Sequence, residues 1–519
     1  MIKKLLLLST TAATLLATNG VNMIGTGTVS RSMGGTGVAF FSSGSDAMGK
    51  NIALIADVKS SELHFDVTYF NASVSTATTD YMFLNETPAN PIYGQDRYNA
   101  QHENSSQNHL DTNFIPTLSY VSKIDDEYSW GITMFGVAGL GVDYDGHEAQ
   151  RKMKTGMMLM KIIPGFSYRT GNTTFGFAPV LGLGSMSLNY DEAQTENGVP
   201  RNTDQSTRSG LFGTNIGGED LVPAFGWQAG MDIKVTEKLR IGTTYQSSLK
   251  YKYKDVANFK QFGPHGMVNM MNDYADGGLN GSDTIGTAID GLGLDAATAD
   301  LLKTVLDPLI RNNTTVEESL EATNPKNLDD LTMEQPWEVA IGASYELTDQ
   351  VTITGDYRYI AWGLAEGYKD FGWENQSVYA LGFEFRPNKK FRFRGGYNYA
   401  DSPIKNVSGE MGSLLTDVQG SYVFDQAISM LNMVGFPAIA TTHFTLGAGY
   451  DVSENLTIDG AFMYAPETET TRSGALLPGA SDAVTNGFGG ITLDPLDMTY
   501  EYKTKMQQMT LSLGLNYTF

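Results

Sequence analysis

Charged side chains spaced every second residue between oily neighbours are the part of this chain best suited to chemistry. Arg392 and Arg394 alternate with Phe391, Phe393, Tyr397 and Tyr399, and Arg358, Glu338, Asp356, Glu384 and Arg386 fall on the same side of their own alternating segments. Period-two alternation sends such residues to the face opposite the oily one. An inward arginine offers paired N–H donors to a ligand carboxylate. It equally serves to neutralise inward carboxylates, because charges withdrawn from water need partners. Arg358 and Arg394, nearer mid-segment than Arg386 or Arg392, are the candidate ligand contacts; ion pairing across the interior is the competing reading.

No other constellation asks for catalysis. His64, His102, His109, His147, His265 and His443 show no His-Glu-x-x-His spacing, and no Gly-x-Ser-x-Gly elbow occurs. Gly25 through Gly37 lacks the Gly-Lys-Ser/Thr of a phosphate loop. His443 is the one tempting base for a membrane-embedded lipase, and phospholipid hydrolysis would be its sign. The expectation is a protein that is not an enzyme and needs no cofactor or metal. A formal charge of −23 disfavours nucleic acid, and the excess acid reads as solvated loop surface. The complete absence of cysteine suits an exported chain without disulfides.

The elements that would position these residues are strands. From Met509 to Phe519, Met509, Leu511, Leu513, Leu515, Tyr517 and Phe519 share one face, and Thr510, Ser512, Gly514, Asn516 and Thr518 the other. At roughly 3.3 Å per residue and a tilt near 45°, that stretch rises about 25 Å, the height of a transmembrane barrel's apolar band. Leu63–Tyr69, Trp227–Val235, Trp337–Leu347, Tyr379–Phe385, Phe391–Tyr399 and Phe444–Tyr450 repeat the pattern. About fourteen such segments are expected, an even number as single-chain bacterial barrels require. Lys3 and Lys4 before the apolar run Leu5–Leu16 read as a secretory signal over 1–17, cleaved after Ala17. Later runs all fall short of the roughly 18 apolar residues of a spanning helix.

Connections alternate between short and long. Tight turns fall at Asp125–Glu127, Thr170–Asn172, Thr236–Lys238, Thr348–Gln350, Pro387–Lys389 and Ser453–Asn455, with longer excursions near 75–109, 145–152, 191–222, 255–334, 365–372, 403–440 and 469–497. Short periplasmic and long external loops are the barrel's signature. Leu301, Leu302, Val305, Leu306, Leu309 and Ile310 recur at helical spacing, with Asp295 or Thr298 as caps. Ile428, Leu431, Met433, Val434 and Phe436 form a second apolar cluster. Leu302, Leu306, Ile310, Leu431 and Phe436 either line an external greasy groove or pack the two clusters together over the mouth.

Residues 18–58 are not a strand. Gly25-Thr26-Gly27, Ser32-Met33-Gly34-Gly35-Thr36-Gly37 and Asn51-Ile52-Ala53 resemble the N-terminal hatch of the FadL/TodX family of outer-membrane transporters. Pro116–Tyr120, Gly226-Trp227, Ile241-Gly242, Asp356-Tyr357 with Trp362, Arg394–Tyr397 and Ser402-Pro403 follow in the family's order. The resemblance implies an all-β transmembrane barrel over 59–519 in the bacterial outer membrane, a monomer surrounded by lipid and lipopolysaccharide and plugged by residues 18–58. It implies passage of long-chain fatty acids, or else alkanes or aromatic hydrocarbons, from an outer groove to a lumen pocket. Met33, Gly34, Gly35, Asn51, Ile52 and Ala53 would belong to the gating hatch. Release would be sideways beside a distorted third strand, here Trp130–Tyr144, with Gly136, Gly139 and Gly141 as kink positions; glycine there also accommodates plain barrel curvature. The family usually has Asn-Pro-Ala where Ile52 stands, which removes a φ restraint. A general porin or a surface adhesin is the remaining alternative; high ion conductance would mark the porin.

Overall fold

The computed structural model describes residues 19–80, 101–102, 112–143, 154–189, 195–196, 199–200, 215–257, 264–275, 277–294, 296–323, 329–404, 429, 431–475 and 499–519. The expected signal segment, Asp295, Ile428, Tyr144, His109 and His147 lie outside them.

Fourteen antiparallel strands form the wall. They are β1 (Ser61–Asp80), β2 (Thr112–Lys123), β3 (Tyr128–Asp143), β4 (Lys154–Thr170), β5 (Thr173–Asn189), β6 (Asn215–Lys234) and β7 (Leu239–Gln246). The circuit continues with β8 (Glu338–Thr348), β9 (Val351–Ile360), β10 (Gln376–Phe385), β11 (Phe391–Ala400), β12 (Thr442–Asp451), β13 (Leu456–Ala475) and β14 (Thr499–Thr518). β14 pairs back onto β1 from Glu62–Thr518 to Asp80–Tyr500, so the sheet closes on itself. In lipid this closure is obligatory, because an unpaired backbone group has no water to turn to.

The alternation sorts residues as the spacing predicts. Leu381 and Leu446 point outward and are each 61% exposed in the isolated chain, a surface only lipid can cover. Phe177, Trp227, Tyr245, Trp337 and Tyr359 stack in sequence from β5 to β9 as an outer aromatic girdle. From Trp337 down β8 to Leu347 the chain drops about 23 Å at the usual strand rise and tilt. The six short turns join strands where the turn residues predict.

The lumen is filled from both ends. From below comes the chain 19–58, with helices α1 (Thr28–Ser32) and α2 (Gly44–Lys50) and a 3-10 turn over Ile52–Asp57. Strands β4, β5, β6, β7, β10 and β11 meet it with Gly165, Gly176, Gly230, Gly242, Gly382 and Gly396, where any side chain would collide with the segment. From above, a ribbon of Leu249–Ala257 and Asp329–Gln335 buries Leu249, Tyr251, Tyr253, Leu331 and Met333. Trp362, Tyr368 and Trp373 pack edge to face beside it.

Helices α3 (Pro264–Tyr274), α4 (Ile285–Gly291), α5 (Ala296–Val305), α6 (Asp307–Arg311) and α7 (Val316–Thr323) make a separate cluster with its own core. Leu302 and Leu306 are buried there, with Ile310 at the edge. Leu431 and Phe436 instead pack on the lumen core. The expected packing of the two clusters on each other is therefore corrected: each buries its apolar side in a different place.

Candidate functional site

Between the inner segment and the wall of β3, β4 and β6–β11 lies a cavity of about 60 Å³. Lys50, Lys161, Arg358, Glu338 and Asp356 line it, with Gln228, Gln246, Gln335 and Asn398. Three potential cations face two carboxylates. Arg358 reaches Glu338 at 3.4 Å. Asp356 Oδ2 accepts the backbone N–H groups of Gly37 (2.8 Å) and Val38 (3.1 Å), pinning the inner segment to β9. Lys161, on β4, is 1% exposed and has no hydrogen-bond or ion-pair partner among the described residues. A buried cation without a hydrogen-bonded carboxylate is costly; the charge of Glu338 across the cavity offsets part of that cost.

Arg394 is not brought to this cavity. Glu384 and Asp459 each hold its guanidinium at 2.6 Å, Arg386 leans on Glu384 at 2.5 Å, and Arg392 pairs with Asp451. Interior ion pairing thus claims Arg394, while Arg358 remains at the cavity wall. The sequence reading overlooked Lys161; a lone lysine between Met160 and Ile162 was its one signal.

The inner segment is held in two different ways. Its first half is tied by polar contacts: Arg31 donates to Thr68 (2.6 Å) and Ser512 (3.0 Å), Thr445 bonds Ser32 O and Gly34 N (both 2.9 Å), and Asn398 donates to Gly34 O (2.9 Å). Gly34 and Gly35 have φ of +70° and +81°, the left-handed region where glycine is unstrained; Met33 is buried beside them. The second half is anchored by apolar packing of Met48, Ile52, Leu54 and Ile55. Ile52 packs against Gly165 and Gly176. Asn51 caps the 3-10 turn, accepting from Ala53 N (3.1 Å) and donating to Val38 O (2.7 Å) and Met231 O (3.1 Å). That cap orders the turn at Ile52.

Asp57 closes the anchor at the periplasmic rim, paired with Arg169 and Arg240 and 3.6 Å from Lys234. Burial alone would raise its pKa; Arg240, Lys234 and Arg169 outweigh burial and hold the carboxyl below its ordinary value. A depressed carboxylate stabilises fully above its unfolded pKa of about 3.9 and loses that stabilisation as pH falls through the lower folded value. Asp57→Asn is expected to lower the thermal midpoint at pH 7 and to flatten its fall below pH 4. An unchanged midpoint and acid profile would refute the anchor.

The wall has a seam beside the cavity. β2 and β3 pair from Lys123–Ser129 only to Thr117–Phe135. Pro116, next along β2, has no N–H to continue a ladder. β3 then slips register against β4 between Gly136 and Ala138. Its freed edge is taken by the start of the inner segment: Met23 N donates to Val137 O (2.9 Å) and Gly139 N to Val21 O (3.3 Å). Of the three kink candidates, Gly136 sits at the slip and Gly139 in this substitute pairing; Gly141 lies on the regular continuation toward Asp143.

A closed, lipid-facing barrel, corked from within and carrying a seam beside an internal cavity, defines a transport barrel rather than an open pore. The chain belongs to the outer membrane protein transport family (OMPP1/FadL/TodX), which it matches over residues 6–411, and so to the bacterial outer membrane. The long-chain fatty acid transport protein of Escherichia coli is 23% identical over 368 residues, covering 65% of this chain and 70% of that one. A 47 kDa outer membrane protein of Pasteurella multocida is 21% identical over 268 residues; the chain spans about half of that relative's length, 49%. Among solved structures, a Pseudomonas aeruginosa FadL homologue aligns over 96% of this chain and 100% of its own, with TM-score 0.59 and 14% identity. The Ralstonia pickettii toluene transporter TbuX aligns over 96% and 99%, with TM-score 0.52 and 16% identity. At these identities the likeness is one of fold.

Proposed function

We propose that this protein admits long-chain fatty acids, taking the ionised carboxylate at Lys161 and Arg358 and releasing the molecule sideways through the β2–β3 seam. The observation that carries the reading is Lys161: a buried ammonium without a partner, facing a cavity with more cations than carboxylates, fits an anionic head group. A neutral hydrocarbon would leave that charge as unsatisfied as before. Charge-assisted hydrogen bonds to a carboxylate are among the stronger ones available in an interior.

Gating follows from how the hatch is held. The stretch from Ile24 to Phe40 buries only a small apolar cluster of its own, Val29, Met33 and Phe40, and is otherwise held by polar contacts that water can replace at a modest net cost. The stretch from Met48 to Asp57 exposes apolar surface if it leaves. The hatch therefore opens by moving its first half about a fixed second half, and withdrawal of Val21–Met23 from β3 frees the seam.

The test is uptake in a bacterial strain lacking its own transporter, comparing oleate with toluene. Oleate accumulation well above toluene is expected. Accumulation of toluene alone would replace the carboxylate reading with a hydrocarbon one, and accumulation of neither would remove transport of both.

A further inference from the structure

A cavity of about 60 Å³ holds a few waters, whereas pockets that hold drug-sized ligands run to about 300–1,000 Å³. Within this cavity there is room for a carboxylate at Lys161 and not for its hydrocarbon. The space immediately outward belongs to the apolar lumen core, and part of that core comes from a segment outside the barrel wall. Leu431–Gly435 forms a single wide π turn, a rare conformation often found at functional sites. Asn432, Met433, Val434 and Gly435 are all buried.

This turn crosses the lumen in front of the seam. Thr504 on β14 donates to Met433 O (2.6 Å) and Thr155 on β4 donates to Gly435 O (2.6 Å). β1, β2 and β3 are the strands between those anchors, and the turn lies against β3. Asn432 is fixed from the other side, donating to Phe371 O (2.7 Å) and accepting from Trp373 Nε1 (2.9 Å). Met433 offers an unbranched, flexible side chain, the one most like a stretch of acyl chain. Among the described residues, the four side-chain hydrogen bonds just named tie the turn to the wall and to the neighbouring loop.

We propose that the turn Leu431–Phe436 is a built-in stand-in for cargo: it occupies the acyl-chain site of the lumen and must withdraw before a fatty acid can enter or reach the seam. The inference rests on the fatty-acid reading above and adds a second gate, distinct from the hatch. Cargo and turn compete for one apolar compartment, so apparent affinity is the intrinsic affinity reduced by the fraction of molecules with the turn withdrawn.

Two measurements on the full-length protein in detergent test this. The chain contains no cysteine, so Val434→Cys gives a single thiol, buried while the turn is seated. Saturating oleate is expected to speed maleimide labelling at least tenfold. Thr155→Val with Thr504→Val removes both wall anchors while keeping side-chain shape. Each net hydrogen bond is worth about fivefold in an equilibrium, so oleate affinity is expected to tighten roughly five- to thirtyfold. If oleate binds but labelling is unchanged or slowed, or if the double variant binds no more tightly, the stand-in is wrong and the carboxylate reading survives. If the unmodified protein binds no oleate, both fall.

Discussion

Gly396→Val should leave the barrel assembled and unseat the first half of the hatch. Gly396 faces the lumen on β11, where an added Cβ would be driven into the backbone of Met33 and Gly34. Backbone cannot swing aside as a long side chain can. The turn must lift, and with it go the bonds from Gly34 N to Thr445 and from Asn398 to Gly34 O. The contacts of Gly37 and Val38 with Asp356 are the next in line. At about 1 kcal/mol net for each bond, losing the first two and one of the next two costs about 3 kcal/mol, roughly a hundredfold in the local opening equilibrium. The strand pairings of β10, β11 and β12 are untouched, so the protein should still migrate as a folded, heat-modifiable barrel. Limited proteolysis is the readout: cleavage within residues 24–40 should accelerate about a hundredfold. Gly382→Val, against Met33 O and Thr36, should behave alike, whereas Gly355→Ala, which meets nothing closer than 3.4 Å, should not. Equal cleavage in all three variants would mean the hatch turn is not seated on the glycines.

How far the sequence reveals this arrangement depends on whether a residue's environment is set locally. The wall strands are legible because lipid on one side and lumen on the other impose period two residue by residue, as from Met509 to Phe519. The turns are legible because their chemistry is local. The ribbon at Leu249–Ala257 also alternates, with Leu249, Tyr251 and Tyr253 against Lys250, Lys252 and Lys254, yet its end and nearly all of its partner Asp329–Gln335 fall in what reads as an external excursion. Alternation tells which face a residue takes; it does not tell which surface that face meets. Partner choice is less legible still. Arg394 reads correctly as inward, but its clamp by Asp459 comes from a residue 65 positions away. Leu302 and Leu431 carry the same apolar signal, and one lies in a helical cluster's core while the other lies in the lumen. Lys161 is hidden because Met157, Met158, Leu159, Met160, Ile162 and Ile163 are apolar on both faces, which erases the alternation that would have marked it.

Lys161→Met is expected to weaken oleate binding and at the same time to stabilise the protein. Methionine keeps the unbranched reach of lysine and removes the ammonium. In the empty protein Lys161 is 1% exposed, beside Arg358 and Lys50 on the same cavity, and only the charge of Glu338 across the cavity offsets part of its desolvation. Removing it should raise the thermal midpoint, the behaviour of a residue kept for binding at the expense of stability. A hydrogen bond from a charged donor contributes about 1.5–3 kcal/mol, so oleate affinity should fall roughly ten- to a hundredfold, while toluene uptake, where measurable, stays level. The two arginines give the contrast. Arg394→Ala leaves Asp459 buried without its cation and Glu384 with Arg386 alone, and should cost about 3–5 kcal/mol of stability, with oleate affinity unchanged in the molecules that fold. Arg358→Ala should lower affinity with only a modest loss of stability, since its partner Glu338 borders the cavity and keeps access to water. A Lys161→Met protein that binds oleate as tightly as its parent, or that unfolds earlier, would show the lysine to be structural and would leave the cavity without an anion to hold.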